Sequence, residues 1–280
     1  MAREDVQRLK ALMTTIFIED PADVRVAAYR DIRERDLTGR EGLFIAEGEV
    51  VVRTLASAAS RCAIRSMLLA EKRIAGLADV ISGLGVETPV YGAGQAVLDA
   101  VAGFALHRGI LALGEKPAPV AVADLLASLP EDCVVVAASD IGNHDNIGGL
   151  YRNAAAFGAA AVLLDDRCGD PFYRKSIRVS VGAVLRMPAV APLPIGTLVE
   201  TLLAHRFEVI AMTPGATETL ASLKPGGRRA LLMGSEGPGL PPEIIARCRG
   251  VRIPMSGGFD SLNVAVASAI ALHQLTCTPS

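Results

Sequence analysis

The chain has 280 residues, 51% of them hydrophobic and 21% charged, which excludes a disordered or fibrous class and suits about two globular domains. Aromatic residues are 4% and tryptophan is absent, so the core must be aliphatic. The formal net charge of -2 excludes a generally basic nucleic-acid binder, and any basic surface must be local.

Residues 1–36 read as helical, with a break near Asp20-Pro21, where Asp20 can cap and Pro21 suits a first turn. Gly42 to Glu49 reads as a short strand and a turn, and Glu49 to Ala59 as a helix. Ser66–Ala70, Thr88–Tyr91 and Gly109–Leu113 are apolar enough for three further strands. Alternating strands and helices make residues 1–115 a small α/β domain. The Pro-rich stretch that starts at Gly114 opens a linker, placed at 116–131, and 132–280 form the second domain.

In that second domain the alternation is stronger. Cys133–Ala138 is a continuous, largely β-branched run, as expected of a strand buried on both faces. A helix is expected from Asn146 to Phe157 and a strand over Ala160–Leu164. A helix over Ile195–His205 and strands over Phe207–Met212 and Ala230–Met233 follow. A strand ends at Arg252-Ile253, and Leu262–Leu275 reads as the last helix. The pattern implies an open, mostly parallel sheet covered by helices, whose ligands sit beyond the strands' carboxyl ends. The loops after Ala138, Met233 and Pro254 are therefore candidates for one shared site.

Each loop carries residues suited to ligand work. Gly148 and Gly149 follow Asn146 inside a helical turn, at a cost of roughly 1 kcal/mol each against Ala, so something must approach the backbone closely. Arg152 offers a planar fork for phosphate or carboxylate, or pairs with a nearby acid on the surface. The loop Gly234-Ser235-Glu236-Gly237-Pro238-Gly239-Leu240 has the wrong order for G-x-G-x-x-G and lacks the Lys-Ser/Thr of a P-loop. It still offers backbone amides and carbonyls to a small ligand, and Glu236 either touches that ligand or stabilises the loop. Between Ile253 and Val264, a Gly-rich turn leads into a helix, with Asp260 or Ser261 as the ordinary N-cap and Asn263 in the first turn. That helix is apolar all round until His273 and Gln274, so it must be buried on all sides, at or near a homodimer interface.

Five cysteines with no CxxC pair suit free thiols in a reducing cytoplasm, and four histidines show no metal-ligand spacing. No apolar run is long enough to cross a membrane, the charged N-terminus is unlike a signal peptide, and no internal repeat is found.

Taken together, three stretches resemble the SpoU/TrmH family of RNA ribose 2′-O-methyltransferases, part of the SPOUT class. They are Asn146, Gly148 and Arg152; Gly234, Glu236, Gly239 and Leu240; and Ile253-Pro254-Met255 followed by Ser261-Leu262-Asn263-Val264. The likeness is strong over residues 132–276. It is looser in the first domain, where Phe44–Glu49 and His107–Ile110 resemble that family's RNA-substrate-binding domain. Departures are Asn153, where Thr or Ser is common, and Asn143-His144-Asp145 in place of Asp-Pro-Gly.

The resemblance implies a C-terminal domain with a deep trefoil knot, working as a homodimer on tRNA or rRNA in the cytoplasm. It implies S-adenosyl-L-methionine (AdoMet) as methyl donor, held by Gly234, Ile253, Met255 and Leu262. Asn146, Arg152, Glu236, Ser261 and Asn263 would form the catalytic surround, with no metal. Two other readings compete. A non-catalytic RNA-binding relative is disfavoured by intact Arg152, Ser261 and Asn263, and a nucleotide-cofactor oxidoreductase by the missing G-x-G-x-x-G.

Overall fold

The structure is a computed structural model that describes residues 3–32, 42–256 and 261–277. Two compact units emerge: Met1–Pro117 with Phe172–Arg186, and Ala118–Pro171 with Met187–Ser280. No helix among the described residues is long and apolar enough to cross a membrane.

The first unit holds a five-stranded mixed sheet. Its strands are β1 (Thr15–Ile18), β2 (Leu43–Glu47), β3 (Ala63–Ala70), β4 (Val90–Ala93) and β5 (Ile110–Glu115), in the order β1-β4-β3-β5-β2. β1, β4 and β3 run parallel, and β5 is antiparallel to both β3 and β2. The expectation of helix through 1–36 is corrected here. The helix ends at Thr14, β1 follows, and a 3-10 helix spans Val24–Ile32. Thr15-Ile16-Phe17-Ile18 is β-branched and aromatic, and pairing with Val90–Ala93 outweighs any continuation of the helix. Asp20 makes a turn instead of a helix cap, its Oδ1 accepting from the Ala22 amide at 2.7 Å.

The segment Phe172–Arg186 returns to this first unit, which the sequence reading did not anticipate. Phe172 packs its ring 5.3 Å from that of Phe44. The Arg174 guanidinium donates to the buried Glu47 carboxylate at 2.8 Å.

The second unit is built on a six-stranded sheet: β6 (Cys133–Ala138), β7 (Ala161–Leu164), β8 (Glu208–Met212), β9 (Glu218–Thr219), β10 (Arg228–Met233) and β11 (Arg249–Arg252). The order is β7-β6-β10-β8-β11-β9, and every pairing is parallel. β6 is buried on both faces from Val134 to Ala138, as its uniform apolar run requires. The stretch expected as linker contains the helix Val122–Ser128, whose Val122 and Leu126 enter this unit's core beside Leu198, Val199 and Leu202. Apolar positions four apart in that helix need a core to cover them, so the chain crosses between units near Pro117 instead of along 116–131. With β10 between β6 and β8, and β8 between β10 and β11, four carboxyl ends lie side by side. The site is there.

Candidate active site

The helix His144–Ala156 leaves the β6 loop, and the helix Val264–Thr276 closes the described chain. The turn into the first is pinned from below by Asp165, 1% exposed. Its carboxylate accepts from Ser139 Oγ at 2.6 Å and from the Asp140 amide at 3.1 Å. Asp140 is held at φ 56, an uncommon conformation for a residue with a side chain, and the hydrogen bond its amide donates to Asp165 fastens it there. Cys168 lies beneath the same turn, where burial pushes its thiol up to about 12 and leaves it inert. Asn143 caps the helix, its Oδ1 accepting from the Asp145 amide at 2.9 Å, so the departure from Asp-Pro-Gly still supplies a cap.

The last helix starts two residues later than expected, and its cap is Asn263 instead of Ser261. Asp260 and the glycines Gly257 and Gly258 lie outside the described residues. Asn263 Oδ1 accepts from the amides of Ala265 at 2.9 Å and Val266 at 3.3 Å. Its Nδ2 is then free to work elsewhere. It donates to Asn146 Oδ1 at 2.8 Å and to Glu236 Oε1 at 3.3 Å. Asn146 Nδ2 donates to the same Glu236 oxygen at 2.8 Å. The two helices run the same way with their N-termini together, and the Glu236 carboxylate accepts where both dipoles favour negative charge.

The glycine cost in the first helix has a cause other than a ligand. A Cβ on Gly149 would stand 2.5 Å from Ala265 Cβ, so it is the last helix that approaches the backbone. Gly234 likewise serves its own loop. A Cβ there would meet Gly239 C and Leu240 N at 2.6 Å, while a Ser235–Gly239 bridge closes the turn. Leu240 is a core residue, 5% exposed, and anchors the loop from within.

Beside this constellation lies a cavity of about 480 Å³. Gly234, Glu236, Ile253 and Met255 line it, as do Ser261, Leu262 and Asn263. Met212, Thr213 and Pro214 complete the wall and were missed from sequence. Met212 ends β8 and the other two follow it, and only the strand order reveals that β8 ends between the two motif-bearing strands. Asn146 joins through its hydrogen bonds and is 4% exposed. Arg152 does not join. It stands on the exposed side of its helix, outside the cavity lining, without a hydrogen bond or ion pair among the described residues. No group of His, Cys, Asp and Glu suited to a metal ion occurs among the described residues.

A parallel sheet with three motif loops at one edge narrows the class, and comparison with known families decides it. Residues 133–273 match the model of the SpoU rRNA Methylase family. The chain belongs to that family. A tRNA/rRNA methyltransferase of Mycobacterium tuberculosis is 38% identical over 268 residues, covering 92% of this chain and 90% of that one. The SpoU methyltransferase AviRb from Streptomyces viridochromogenes, solved in complex with AdoMet, superposes with a TM-score of 0.74 at 24% identity. That match covers 90% of this chain and 96% of AviRb. An AdoMet-bound rRNA methyltransferase from Sinorhizobium meliloti gives 0.75 at 23% identity, over 93% and 97% of the two chains. At these identities the structures establish the shared fold, and the SpoU family membership establishes a methyltransferase.

Proposed function

We propose that this SpoU methyltransferase transfers the AdoMet methyl group to a ribose 2′-hydroxyl of tRNA or rRNA. The observation that carries the reading is the Asn146–Glu236–Asn263 constellation, joined at the edge of the cavity by hydrogen bonds of 2.8 to 3.3 Å. The cavity's residues suit a nucleoside-sized donor. Ser235 Oγ, in its wall, is buried with no hydrogen-bond partner among the described residues, and a ligand with polar edges would satisfy it. Gly234, Ile253, Met255 and Leu262 would hold the donor, chiefly through backbone groups and apolar contact.

When bound, AdoMet would supply an electrophilic methyl group on a sulfonium. The chain's part is alignment, which can supply most of such a rate. Asn146, Asn263 and Glu236 form a rigid polar platform, and Ser261 stands beside it. Arg152 is assigned as a forked clamp on an adjacent phosphate that steadies the developing alkoxide.

Arg152 lies outside its own cavity, and the last helix leaves Val266 50% and Ile270 40% exposed, four residues apart. The sequence expectation of full burial fails within one chain, and a second copy would cover that stripe. The proposed unit is therefore a homodimer in which Arg152 serves the neighbouring protomer's cavity. The trefoil knot, a first unit that binds RNA, and a reducing cytoplasmic setting belong to the same reading. The five free cysteines support that setting.

The test is AdoMet binding by calorimetry together with transfer of labelled methyl to total RNA. A chain that binds AdoMet and methylates no RNA would favour the non-catalytic relative.

A further inference from the structure

We infer that Asn153 is a positioning residue for methyl transfer: it sets the register between the two helices whose N-termini present Asn146 and Asn263. This inference rests on the methyl-transfer reading above. Asn146, Gly149, Asn153 and Phe157 fall on one stripe of the first helix at spacings of three or four. Each meets the last helix. Asn146 meets Asn263, Gly149 meets Ala265, and the Phe157 ring lies edge-on to His273 at 5.9 Å. Asn153 Nδ2 donates to Ala265 O at 2.6 Å and to Ser268 Oγ at 2.9 Å. Ser268 is fully buried and gives its own proton to Ala265 O at 2.7 Å, so its oxygen can only accept from Asn153.

The division of labour follows from chemistry. Gly149 against Ala265 brings the helices close, but two small apolar surfaces carry no directional restraint and can slide. Two amide protons aimed at two fixed acceptors remove that freedom. Ala265 lies two residues after Asn263, so fixing Ala265 fixes the cap and the reach of Asn263 Nδ2 toward Asn146 and Glu236. A Ser or Thr at this position would have one shorter donor, and in a helix that hydroxyl tends to bond its own preceding turn. Asn153 is thus the chain's particular means of holding a site whose two halves come from distant parts of the sequence.

The experiment compares wild type, Asn153→Asp, Asn153→Ser and Ser268→Ala. Three readouts are taken: AdoMet affinity by calorimetry, kcat and KM for RNA, and the Asn263 side-chain amide signals by NMR. Asn153→Asp removes both donors at nearly constant shape. It is expected to keep AdoMet affinity within about threefold, lower kcat about 10- to 100-fold with less change in KM, and shift the Asn263 signals. Ser268→Ala keeps the Ala265 bond and is expected to lose less than about fivefold in kcat. If Asn153→Asp fails to fold, Asn153→Ser carries the same expectation in weaker form. An Asn263 signal that stays in place, or AdoMet affinity falling as far as kcat, would overturn the assignment. If the wild type methylates no RNA, the functional reading fails while the Asn263 signals still decide the register.

Discussion

Asn263 and Asn146 stand 117 positions apart in the chain, yet the amide of one donates to the amide oxygen of the other at 2.8 Å. Asn263 does two jobs with one side chain: its oxygen caps a helix, and its nitrogen builds the site. The jobs can be separated by substitution. Asn263→Asp keeps the capping oxygen but turns a second oxygen toward Asn146 Oδ1 and Glu236. Thermal unfolding is expected to change little, while single-turnover transfer falls at least about 100-fold. Asn263→Ala loses the cap as well, at about 1 kcal/mol of stability.

The contact between Gly149 and Ala265 predicts a compensating pair. Gly149→Ala brings a gain of about 1 kcal/mol in helix propensity and a clash worth about 1–3 kcal/mol, because its Cβ would lie 2.5 Å from Ala265 Cβ. The variant is expected to be less stable and less active. Adding Ala265→Gly is expected to restore the spacing, and a double-mutant cycle in urea would read the coupling.

Gly234 is constrained by its own loop, so even the smallest side chain is predicted to act. Gly234→Ala forces the turn to move away from Gly239 and Leu240, whose backbone stands 2.6 Å from the added carbon. AdoMet affinity measured by calorimetry is expected to fall at least about tenfold while the far-ultraviolet dichroism of the sheet is retained. Wild-type affinity would remove this loop from the cofactor site.

Arg152 predicts a phenotype in charge stabilisation instead of proton transfer. Arg152→Lys keeps the charge and loses the fork, and its transfer rate is expected to drop about 10- to 1000-fold with AdoMet affinity unchanged. The pH profile from about 6 to 10 is expected to keep its limbs, since a residue that stabilises charge without taking the proton contributes none. A heterodimer of Arg152→Ala with Asn263→Asp is expected to recover activity from its one intact site. No recovery would place Arg152 in its own protomer's site.

Much of the second unit was legible because its sequence signals are local. Cys133–Ala138 is uniformly apolar and β-branched, and the strand matches it residue for residue. The first helix, expected from Asn146, starts two residues earlier at His144, and the Gly234 loop announces itself by its glycines. Non-local pairing was not legible. Thr15–Ile18 reads as the tail of a helix until β4 is known to lie beside it. Thr213 and Pro214 reach the cavity only because β8 sits between β10 and β11. Phe172–Arg186 belongs to the first unit through Phe44 and Glu47, partners more than a hundred residues away. The motif sets Asn146 and Arg152 six positions apart in one helix. Six helical steps place them on different faces, one buried and one exposed.

The chemical identity of the product separates ribose from base methylation. Total RNA treated with the protein and isotope-labelled AdoMet is digested to nucleosides and analysed by mass spectrometry. The label is expected on the ribose of a 2′-O-methylnucleoside, and Asn263→Asp is expected to abolish it. Label found on a base, with the ribose unmodified, would contradict the proposed ribose transfer.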